Sequence, residues 1–409
     1  MRITLVSLFI LFSLSAFSQS NNTNSPYTRY GYGQLADQTF ASQRGMGGIG
    51  YGLRNSQIIN PLNPASLSAV DSMTFMLDFG IKGQLAWFND PAFGKGKKYN
   101  GGLEYLAMQF PLAKGLGMGV GLAPVSYVGY QYGDTTHLGV LDGTSYNSYG
   151  GRGGLNKVYT TLSYKLWDRL SIGVNVGYLF GSIIHDSSAA FSTANTYTTS
   201  WNDTLRSSGL TYEAGLQYFH KLGKTEEIVF GAVYTPKIKT NSTIMKGENR
   251  YDASGQLTGN PHHYTTKDSV FQLPETYGVG ISYHKLNKLT IGADFQYQRW
   301  ADAKFYDQTD SLSNRMKINL GMEYVHKLHY RVGAYYTDSY INVGGNGYKE
   351  YGATVGLGIP MVDKRSFINV AFEYAIIRPE VKTMIDEQYL KFTLSYTFNE
   401  LWFFKRKLQ

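Results

Sequence analysis

Stretches in which apolar and polar side chains alternate recur along most of the chain, and they constrain its fold more than any other feature. Between Leu289 and Gln298, for example, Leu, Ile, Ala, Phe and Tyr occupy one set of alternate positions and Thr, Gly, Asp and Gln the other. A period of two is typical of β-strands whose two faces meet different environments. The pattern predicts fourteen strands, over residues 73–88, 101–110, 115–130, 156–166, 169–185, 205–219, 227–240, 269–284, 287–299, 314–326, 328–341, 350–360, 366–378 and 388–398.

The connections between these strands alternate in length. Long polar or Gly-rich segments cover residues 89–100, 131–155, 186–204, 241–268, 300–313, 342–349 and 379–387. Tight turns lie between them, such as Trp167-Asp168, Lys285-Leu286, Lys327-Leu328 and Asp363-Lys364. Outer-membrane barrels have short periplasmic turns and long extracellular loops, whereas a soluble sandwich has no reason to sort its loops in this way. We therefore predict an all-β fold, a transmembrane antiparallel β-barrel of about fourteen strands over residues 73–398.

The N-terminus has the layout of a secretory signal peptide. Arg2 precedes an apolar stretch from Ile3 to Phe17, and Ala16 and Ser18 are small residues suited to a cleavage site. We predict a signal peptide over residues 1–18, cleaved after Ser18, and a location in the bacterial outer membrane. A short membrane anchor is the alternative, but the apolar stretch is too short to span a bilayer.

The composition agrees with a membrane barrel and excludes several kinds of site. Charged residues make up 17% of the chain and aromatic residues 15%, and aromatic residues form girdles at both edges of membrane barrels. The absence of cysteine excludes disulfides, thiolate metal sites and cysteine nucleophiles. The net charge of +8 comes from basic residues scattered over turns and predicted strands, so we expect no nucleic-acid binding.

Residues 19–72 do not alternate and are rich in Gly and in Asn-Pro pairs, which are typical of turns. About fifty residues are too many for a linker, and they are too poor in apolar periodicity for a separate core. A fourteen-stranded lumen is wide enough to stay open unless something fills it. We predict that residues 19–72 form a hatch, or plug, inside the barrel.

The C-terminal end combines an aromatic-ended strand with a basic extension. The last predicted strand ends at Phe398, and residues 399–409 follow, including Lys405, Arg406 and Lys407. We predict a basic periplasmic tail over 399–409. It is either a solvated extension or a docking peptide for a partner.

The third predicted strand places four glycines on one face and then meets a proline. Gly115, Gly117, Gly119 and Gly121 alternate with apolar residues, and Pro124 follows. Inward glycines let a plug or a ligand approach the wall closely. Because Pro124 cannot donate a ladder hydrogen bond, it belongs at a bulge or at an interrupted pairing. The strand predicts either a lateral opening or an ordinary bulge that curves the wall.

Several short motifs resemble the FadL-type long-chain fatty acid transporter family of outer-membrane proteins. They are Arg44-Gly45-Met46-Gly47-Gly48, the sequence Asn63-Pro64-Ala65-Ser66-Leu67-Ser68 directly before the first strand, and Leu273-Pro274-Glu275-Thr276. The resemblance implies a hatch containing Asn63, Pro64 and Ala65. It also implies a hydrophobic substrate that enters the lumen and leaves sideways at a kink in the third strand. From the residues themselves, the Asn-Pro pairs are also ordinary turn formers, and we expect a structural role for them.

Charged and polar side chains on the inward face of the predicted strands are candidates for a lumen network. Such residues more often pair with each other and anchor a plug than form a catalytic set. Phosphate loops, nucleophile elbows and His-Glu-x-x-His motifs are absent from the sequence, and the His262-His263 pair is the weak metal candidate. We expect no enzyme activity, cofactor or metal. The lumen residues are Asp78, Lys82, Asp294, Glu323, Arg331 and Glu373.

Two functions of different class are consistent with this sequence. One is passive uptake of hydrophobic or amphipathic, fatty-acid-like molecules through a plugged lumen with a lateral gate formed by Gly117, Gly119, Gly121 and Pro124. The other is a non-transporting barrel that serves as an accessory subunit of an outer-membrane protein assembly or type IX secretion complex. The expected partners are outer-membrane lipid together with a hydrophobic ligand or protein subunits.

Overall fold

The computed structural model describes residues 22–138, 143–192, 196–266, 270–309 and 312–402, and most of them lie in one closed antiparallel barrel. Fourteen strands form its wall, and two of them are divided into shorter segments. The strands are β1 (Thr74–Asp90), β2 (Gly94–Ala113), β3 (Leu116–Leu138), β4 (Gly143–Leu166), β5 (Leu170–Phe191), β6 (Thr198–Lys221), β7 (Glu226–Thr235 and Ile238–Tyr251), β8 (Leu257–Thr266, Phe271–Leu273 and Glu275–Lys285), β9 (Leu289–Arg299), β10 (Arg315–Val325), β11 (His329–Asp338), β12 (Tyr348–Pro360), β13 (Phe367–Pro379) and β14 (Asp386–Leu401).

The barrel closes because its last strand pairs with its first. β14 and β1 are in register from Asp386 opposite Asn89 to Leu401 opposite Thr74. Each of the other strands pairs with its neighbours in sequence. The predicted all-β barrel of fourteen strands is therefore confirmed. None of the helices in the described part of the chain is long and apolar enough to cross a membrane.

The alternation in the sequence corresponds to the two faces of the wall. On β9, Ile291 and Phe295 are exposed on the outside, whereas Thr290 and Asp294 are buried on the lumen side. On β10, Leu320 is more than half exposed and the adjacent Asn319 is buried. Apolar side chains cover the outer face because that face meets hydrocarbon, and polar side chains face inward.

Several segments that we predicted to be loops are extensions of the strands. Most of residues 131–155 continue β3 and β4. Residues 241–268 contain the parts of β7 and β8 that lie farthest from the tight turns, and we call this end of the barrel the upper end. Their composition gives no clean alternation, because a wall that rises above the membrane has no hydrocarbon on its outer face. The ladder continues without that signal, since adjacent strands still satisfy each other's backbone groups.

The predicted ends of the chain lie largely outside the described residues. The predicted signal peptide over 1–18 and residues 403–409 of the predicted tail lie outside the described residues. At the described end, β14 continues to Leu401, so the first residues assigned to the tail are strand. The aromatic ring of Trp402 then stacks on Phe75 of β1, with 4.0 Å between the ring centroids.

The N-terminal segment, residues 22–72, contacts both sides of the inner wall. It contains a 3-10 helix over Pro26–Arg29, a two-residue strand Gln34–Leu35, a one-turn α-helix Ala41–Arg44 and a second 3-10 helix over Pro64–Ala69. The α-helix packs against β12, β13 and β14, and the second 3-10 helix packs against β3, β4, β5 and β6. Any candidate site inside the barrel is therefore built from both the segment and the wall.

Candidate functional site

The Asn63-Pro64-Ala65 turn is one of the most buried parts of the N-terminal segment. The Asn63 side chain is fully buried. Its Oδ1 accepts from the backbone N–H of Ala65 (3.0 Å), and its Nδ2 donates to the carbonyls of Tyr51 (2.8 Å) and Leu216 (3.2 Å). Asn63 thus caps the second 3-10 helix and ties two parts of the segment to β6, which is a structural use of an N-cap asparagine.

This turn rests on inward-facing glycines that the sequence analysis did not single out. A Cβ on Gly173 of β5 would lie 2.4 Å from the Pro64 carbonyl carbon, and one on Gly215 of β6 would lie 2.3 Å from Asn63 Oδ1. On β7, a Cβ on Gly231 would lie 1.7 Å from the Tyr51 carbonyl oxygen. Glycine is required at Gly173 and Gly231 because backbone meets backbone there.

A second pair of glycines holds the Met46-Gly47 turn on the other side of the barrel. Gly321 of β10 and Gly333 of β11 are directly opposite each other in the ladder. A Cβ on either would lie 2.1 Å from backbone atoms of the turn. The motif Arg44–Gly48 is therefore also fixed by close backbone contact with the wall.

Arg44 forms a buried ion pair with Glu104 of β2. The Arg44 Nη2 to Glu104 Oε1 distance is 2.5 Å, and both side chains are about 5% exposed (5% and 4%). Burial lowers the pKa of the Arg44 guanidinium, but Glu104 and Asp37 outweigh that effect and hold the pKa above its usual value. The charge is therefore retained inside the barrel.

Glu104 is not among the predicted lumen residues, because a bulge changes which residues of β2 face inward. Gly80 of β1 pairs with Tyr105 and the next residue, Ile81, pairs with Leu103, so Glu104 is the extra residue. Glu104 and Tyr105 are consequently both buried. A bulge of this kind breaks the period of two on which the assignment of inward residues depends.

A second ion pair joins the segment to β10. Asp37 forms a salt bridge with Lys317, and the Asp37 side chain is partly exposed. Burial raises the pKa of the Asp37 carboxyl. The positive charges of Lys317 and Arg44 lower the pKa by more than burial raises it, so the pKa lies well below its usual range. The lowered pKa favours the charged form of Asp37 beside the Lys317 ammonium.

Of the six predicted lumen residues, Asp294 contacts the segment directly. Its Oδ2 accepts from the backbone N–H groups of Gly50 (2.5 Å) and Tyr51 (2.9 Å). A carboxylate that receives successive backbone N–H groups is well matched to their partial positive charge. Asp294 therefore fixes the turn before the Asn63 motif.

The other five predicted lumen residues interact mainly with the wall. Glu323 accepts from Arg331 Nε at 2.6 Å, and Arg331 Nη1 donates to Asn369 Oδ1 at 2.8 Å. Glu373 Oε1 lies 2.6 Å from Nζ of Lys391. Lys391 was not among the predicted lumen residues. Asp78 accepts from the hydroxyls of Tyr105 (3.2 Å) and Thr397 (2.8 Å), and the Lys82 ammonium lies 5.2 Å from the centre of the Tyr127 ring. These residues do not converge on one site.

The glycines of β3 face the segment and a tyrosine of β4. A Cβ on Gly117 would lie 2.3 Å from the Leu67 carbonyl oxygen, and one on Gly119 would lie 2.6 Å from the Leu67 side chain. Gly121 lies against the Tyr159 ring. Gly115 is not part of this row, because β3 begins at Leu116 and Gly115 lies in the preceding turn with a φ of +74°.

The ladder between β2 and β3 stops two residues before Pro124. The last pair is Leu106 with Leu122. From Ala123 onward the wall strand that pairs with β3 is β4, with a bulge between Pro124 and Ser126, and the wall strand that pairs with residues 94–105 of β2 is β1. Above Leu122 the two strands therefore have facing edges without hydrogen bonds between them.

The N-terminal segment occupies the free edge of β3. Gln34 and Leu35 pair with Tyr127 and Ser126. The Ala36 N–H donates to the Val125 carbonyl at 2.9 Å, and Gln38 Nε2 donates to the Pro124 carbonyl at 2.7 Å. Edge groups that the missing ladder would leave unpaired are thus satisfied by residues 34–38.

A cavity of about 190 Å³ lies behind this contact, between the segment and the wall. Its apolar lining includes Leu35, Val125, Leu155, Leu179 and Trp300. Its charged lining residues are Asp37, Lys157, Glu213, Arg315 and Lys317. For scale, an apolar cavity of ~150 Å³ binds benzene. The space can accept a small molecule that has an apolar body and a polar end.

Metal binding finds no support in the described ranges of the chain. No three of their His, Asp or Glu side chains are placed to hold a metal ion together. The weak metal candidate was the His262-His263 pair, and its His263 side chain lies against Gly247 in the upper wall.

Several solved structures have the same architecture. The toluene transporter TodX of P. putida is 17% identical, with a TM-score of 0.66, and covers 90% of this chain and 100% of its own. The toluene transporter TbuX of Ralstonia pickettii is 15% identical, with a TM-score of 0.61 and coverages of 88% and 98%. A FadL homologue of Pseudomonas aeruginosa is 13% identical, with a TM-score of 0.62 and coverages of 89% and 99%. The fold is therefore the FadL-type barrel.

The family assignment comes from the sequence. The BamG family model matches residues 1–409, so the chain belongs to the BamG family. A comparison with curated proteins gave no significant match.

We expect Gly231→Ala to displace the N-terminal segment, because the added Cβ would lie 1.7 Å from the Tyr51 carbonyl oxygen. Overpacking of this kind costs ~1–3 kcal/mol. The matched control is Gly83→Ala on β1, where nothing lies within 4 Å of the added atom. The measurement is the denaturation midpoint of the folded barrel, together with the rate of proteolysis within residues 22–72. Equal behaviour of the two variants would show that the glycine contact is unimportant.

We expect Arg44→Met to lower the free energy of unfolding by ~3–5 kcal/mol, because it leaves the Glu104 carboxylate buried without its partner. The double variant Arg44→Met with Glu104→Met removes both charges and should lose less than the single variant. Equilibrium unfolding in lipid vesicles measures both. Additive losses in the double variant would contradict a coupled ion pair.

Proposed function

We propose that the protein is an outer-membrane barrel for passive uptake of small hydrophobic or amphipathic molecules, in which residues 22–72 act as a plug. The signal peptide, cleaved after Ser18, supplies the export that this location requires. The observation that carries the proposal is the position of the cavity directly behind the edge of β3 that β2 does not pair with. The segment strand Gln34–Leu35 lies between the cavity and that edge.

The proposed route enters the lumen from the extracellular side and leaves sideways between β2 and β3. Movement of residues 34–38 away from Pro124 and Val125 would expose the interrupted ladder. Lipid cannot satisfy backbone N–H and C=O groups, so the edge stays covered by the segment when no ligand is present. Asn63, Pro64 and Ala65 are buried against the glycines of β5 and β6, which suits a fixed anchor about which residues 34–38 move.

The charged lining points to amphipathic ligands as well as pure hydrocarbons. Arg315 and Lys157 face the same cavity as Leu155 and Leu179. TodX and TbuX are described as toluene transporters, and a ring of that size matches the volume of the cavity. The preferred ligand is a molecule of about this size with a polar or anionic end.

A disulfide between the segment and β3 tests the lateral gate. The chain has no native cysteine, and Leu35 and Ser126 are paired across an antiparallel ladder. Their Cα atoms are therefore about 4.5–5.5 Å apart, within the ~4.4–6.8 Å range of disulfides. We expect oxidised Leu35→Cys/Ser126→Cys to lose uptake of a labelled aromatic hydrocarbon or fatty acid, and reduction to restore it.

The matched control crosslinks the anchored end of the segment. Ser68 Oγ and Ser171 Oγ are 2.8 Å apart, so Ser68→Cys/Ser171→Cys can also form a disulfide. Uptake should survive that crosslink. Normal uptake through the oxidised Leu35–Ser126 variant would exclude movement of residues 34–38 as the gate.

A second candidate function is that of an accessory subunit in an outer-membrane protein assembly or type IX secretion complex. It is favoured by the family assignment, because the whole chain matches BamG whereas the transporters share its fold at low identity. If the second candidate is right, the protein purified in mild detergent should retain a stoichiometric partner. The oxidised Leu35–Ser126 variant should then still complement a deletion strain. A lone barrel with co-purified lipid, and loss of complementation on crosslinking, would support uptake instead.

A further inference from the structure

An open notch of about 670 Å³ lies on the wall where β5, β6 and β7 meet, away from the lumen cavity. It is lined by two cationic side chains, Arg206 and Lys239. Its described lining contains no Asp or Glu. Outward hydroxyl and amide side chains complete it, namely Ser182, Ser208, Asn241 and Thr243.

The two cations point away from the lumen. Leu205 and Ser207 on either side of Arg206 are buried, as are Ile238 and Thr240 on either side of Lys239. Because side chains alternate along a strand, Arg206 and Lys239 belong to the outer face, and both are exposed. The register places Arg206 opposite Ser182 on β5 and opposite Thr243 on β7.

The notch exists because the ladder between β6 and β7 is interrupted. The lower pairing ends at Ala214 with Tyr234, and the upper pairing starts at Ser208 with Asn241. Pro236, which lies in this interval, has no N–H to donate. Lys239 and Asn241, which line the notch, lie at the upper end of this interval.

Arg206 and Lys239 lack protein partners, unlike other cations on the same upper wall. In the described part of the chain neither forms an ion pair or a side-chain hydrogen bond. By contrast, Arg152 pairs with Asp186, and Lys246 lies 3.5 Å from Asp203. Two free cations beside hydroxyl donors form a site for an anion with several oxygen atoms.

The notch lies at the outer edge of the apolar belt. On β5, the exposed apolar side chains from Ile172 to Phe180 lead away from the short turn at 167–169. A membrane strand needs ~9–11 residues to cross the bilayer, so Ser182 lies just beyond the hydrocarbon. Leu210 and Tyr212 of β6 are exposed directly below Arg206. Acyl chains can therefore pack on the belt while a headgroup occupies the notch.

We propose that this notch binds the phosphate of an outer-leaflet lipid, with Arg206 and Lys239 as the charged ligands and Ser182, Ser208 and Asn241 as hydrogen-bond donors. The proposal relies on the outer-membrane placement given above but not on transport. The planar guanidinium group of an Arg can donate to two phosphate oxygens at once, and hydroxyl donors can bind the other oxygens. Because the notch lies at the edge of the apolar belt, it favours a lipid phosphate over a soluble anion.

The test uses the purified full-length barrel in neutral detergent and lipid A bisphosphate as the probe. Each basic residue near a membrane surface contributes about fivefold in affinity (~1 kcal/mol). We therefore expect Arg206→Gln/Lys239→Gln to weaken binding about 25-fold, and Arg206→Lys to keep most of the affinity. Lipid A without phosphates should bind to the wild type as weakly as the bisphosphate binds to the double variant.

The matched control is Arg152→Gln, which removes an exposed cation of the same upper wall that is already paired with Asp186. It should leave the Kd unchanged. Heat-modifiability on gels verifies that each variant is folded. An unchanged Kd in the double variant, or an equal loss in Arg152→Gln, would overturn the proposal. Displacement of the lipid by millimolar inorganic phosphate would also overturn it, because the site would then select free phosphate.

Discussion

Backbone hydrogen bonding without water is the constraint on which the rest of this structure depends. A strand in hydrocarbon must find partners on both edges, which is why the chain closes β14 onto β1. The wall violates this rule between β2 and β3 above Leu122. Residues 34–38 compensate by pairing with the free edge of β3. The N-terminal segment is therefore part of the wall's hydrogen-bond network.

Close backbone contact decides where the segment lies. Inward glycines on β3, β5, β7, β10 and β11 bring the wall near enough to touch the segment's main chain. Ion pairs then fix its charged side chains, with Arg44 on Glu104 and Asp37 on Lys317. The cavity is the space that this packing leaves next to the interrupted ladder. The segment meets β3 through backbone pairing and meets β5 and β6 through the buried Asn63 turn.

Much of the fold followed from the sequence, whereas less of the candidate site did. The period of two identified the fourteen strands and placed Asp294, Glu323 and Arg331 on the inner face. Glu104 was missed because a bulge shifts the phase of β2. Gly173 and Gly215 gave no signal by themselves, since a glycine within a strand has no period. Their role appears only when the Asn63 turn is brought against them from more than a hundred residues away.

Local pattern and chain connectivity were sufficient to determine the barrel of this protein, because alternation and turn length are properties of short segments that each meet lipid or lumen independently. Tertiary structure decided what the lumen holds: which carboxylate meets Arg44, where the β2–β3 ladder stops and how large a cavity remains. The same is true of the notch at Arg206 and Lys239, whose cations come from different strands. These features depend on distances between segments far apart in the chain, and the sequence records no such distance.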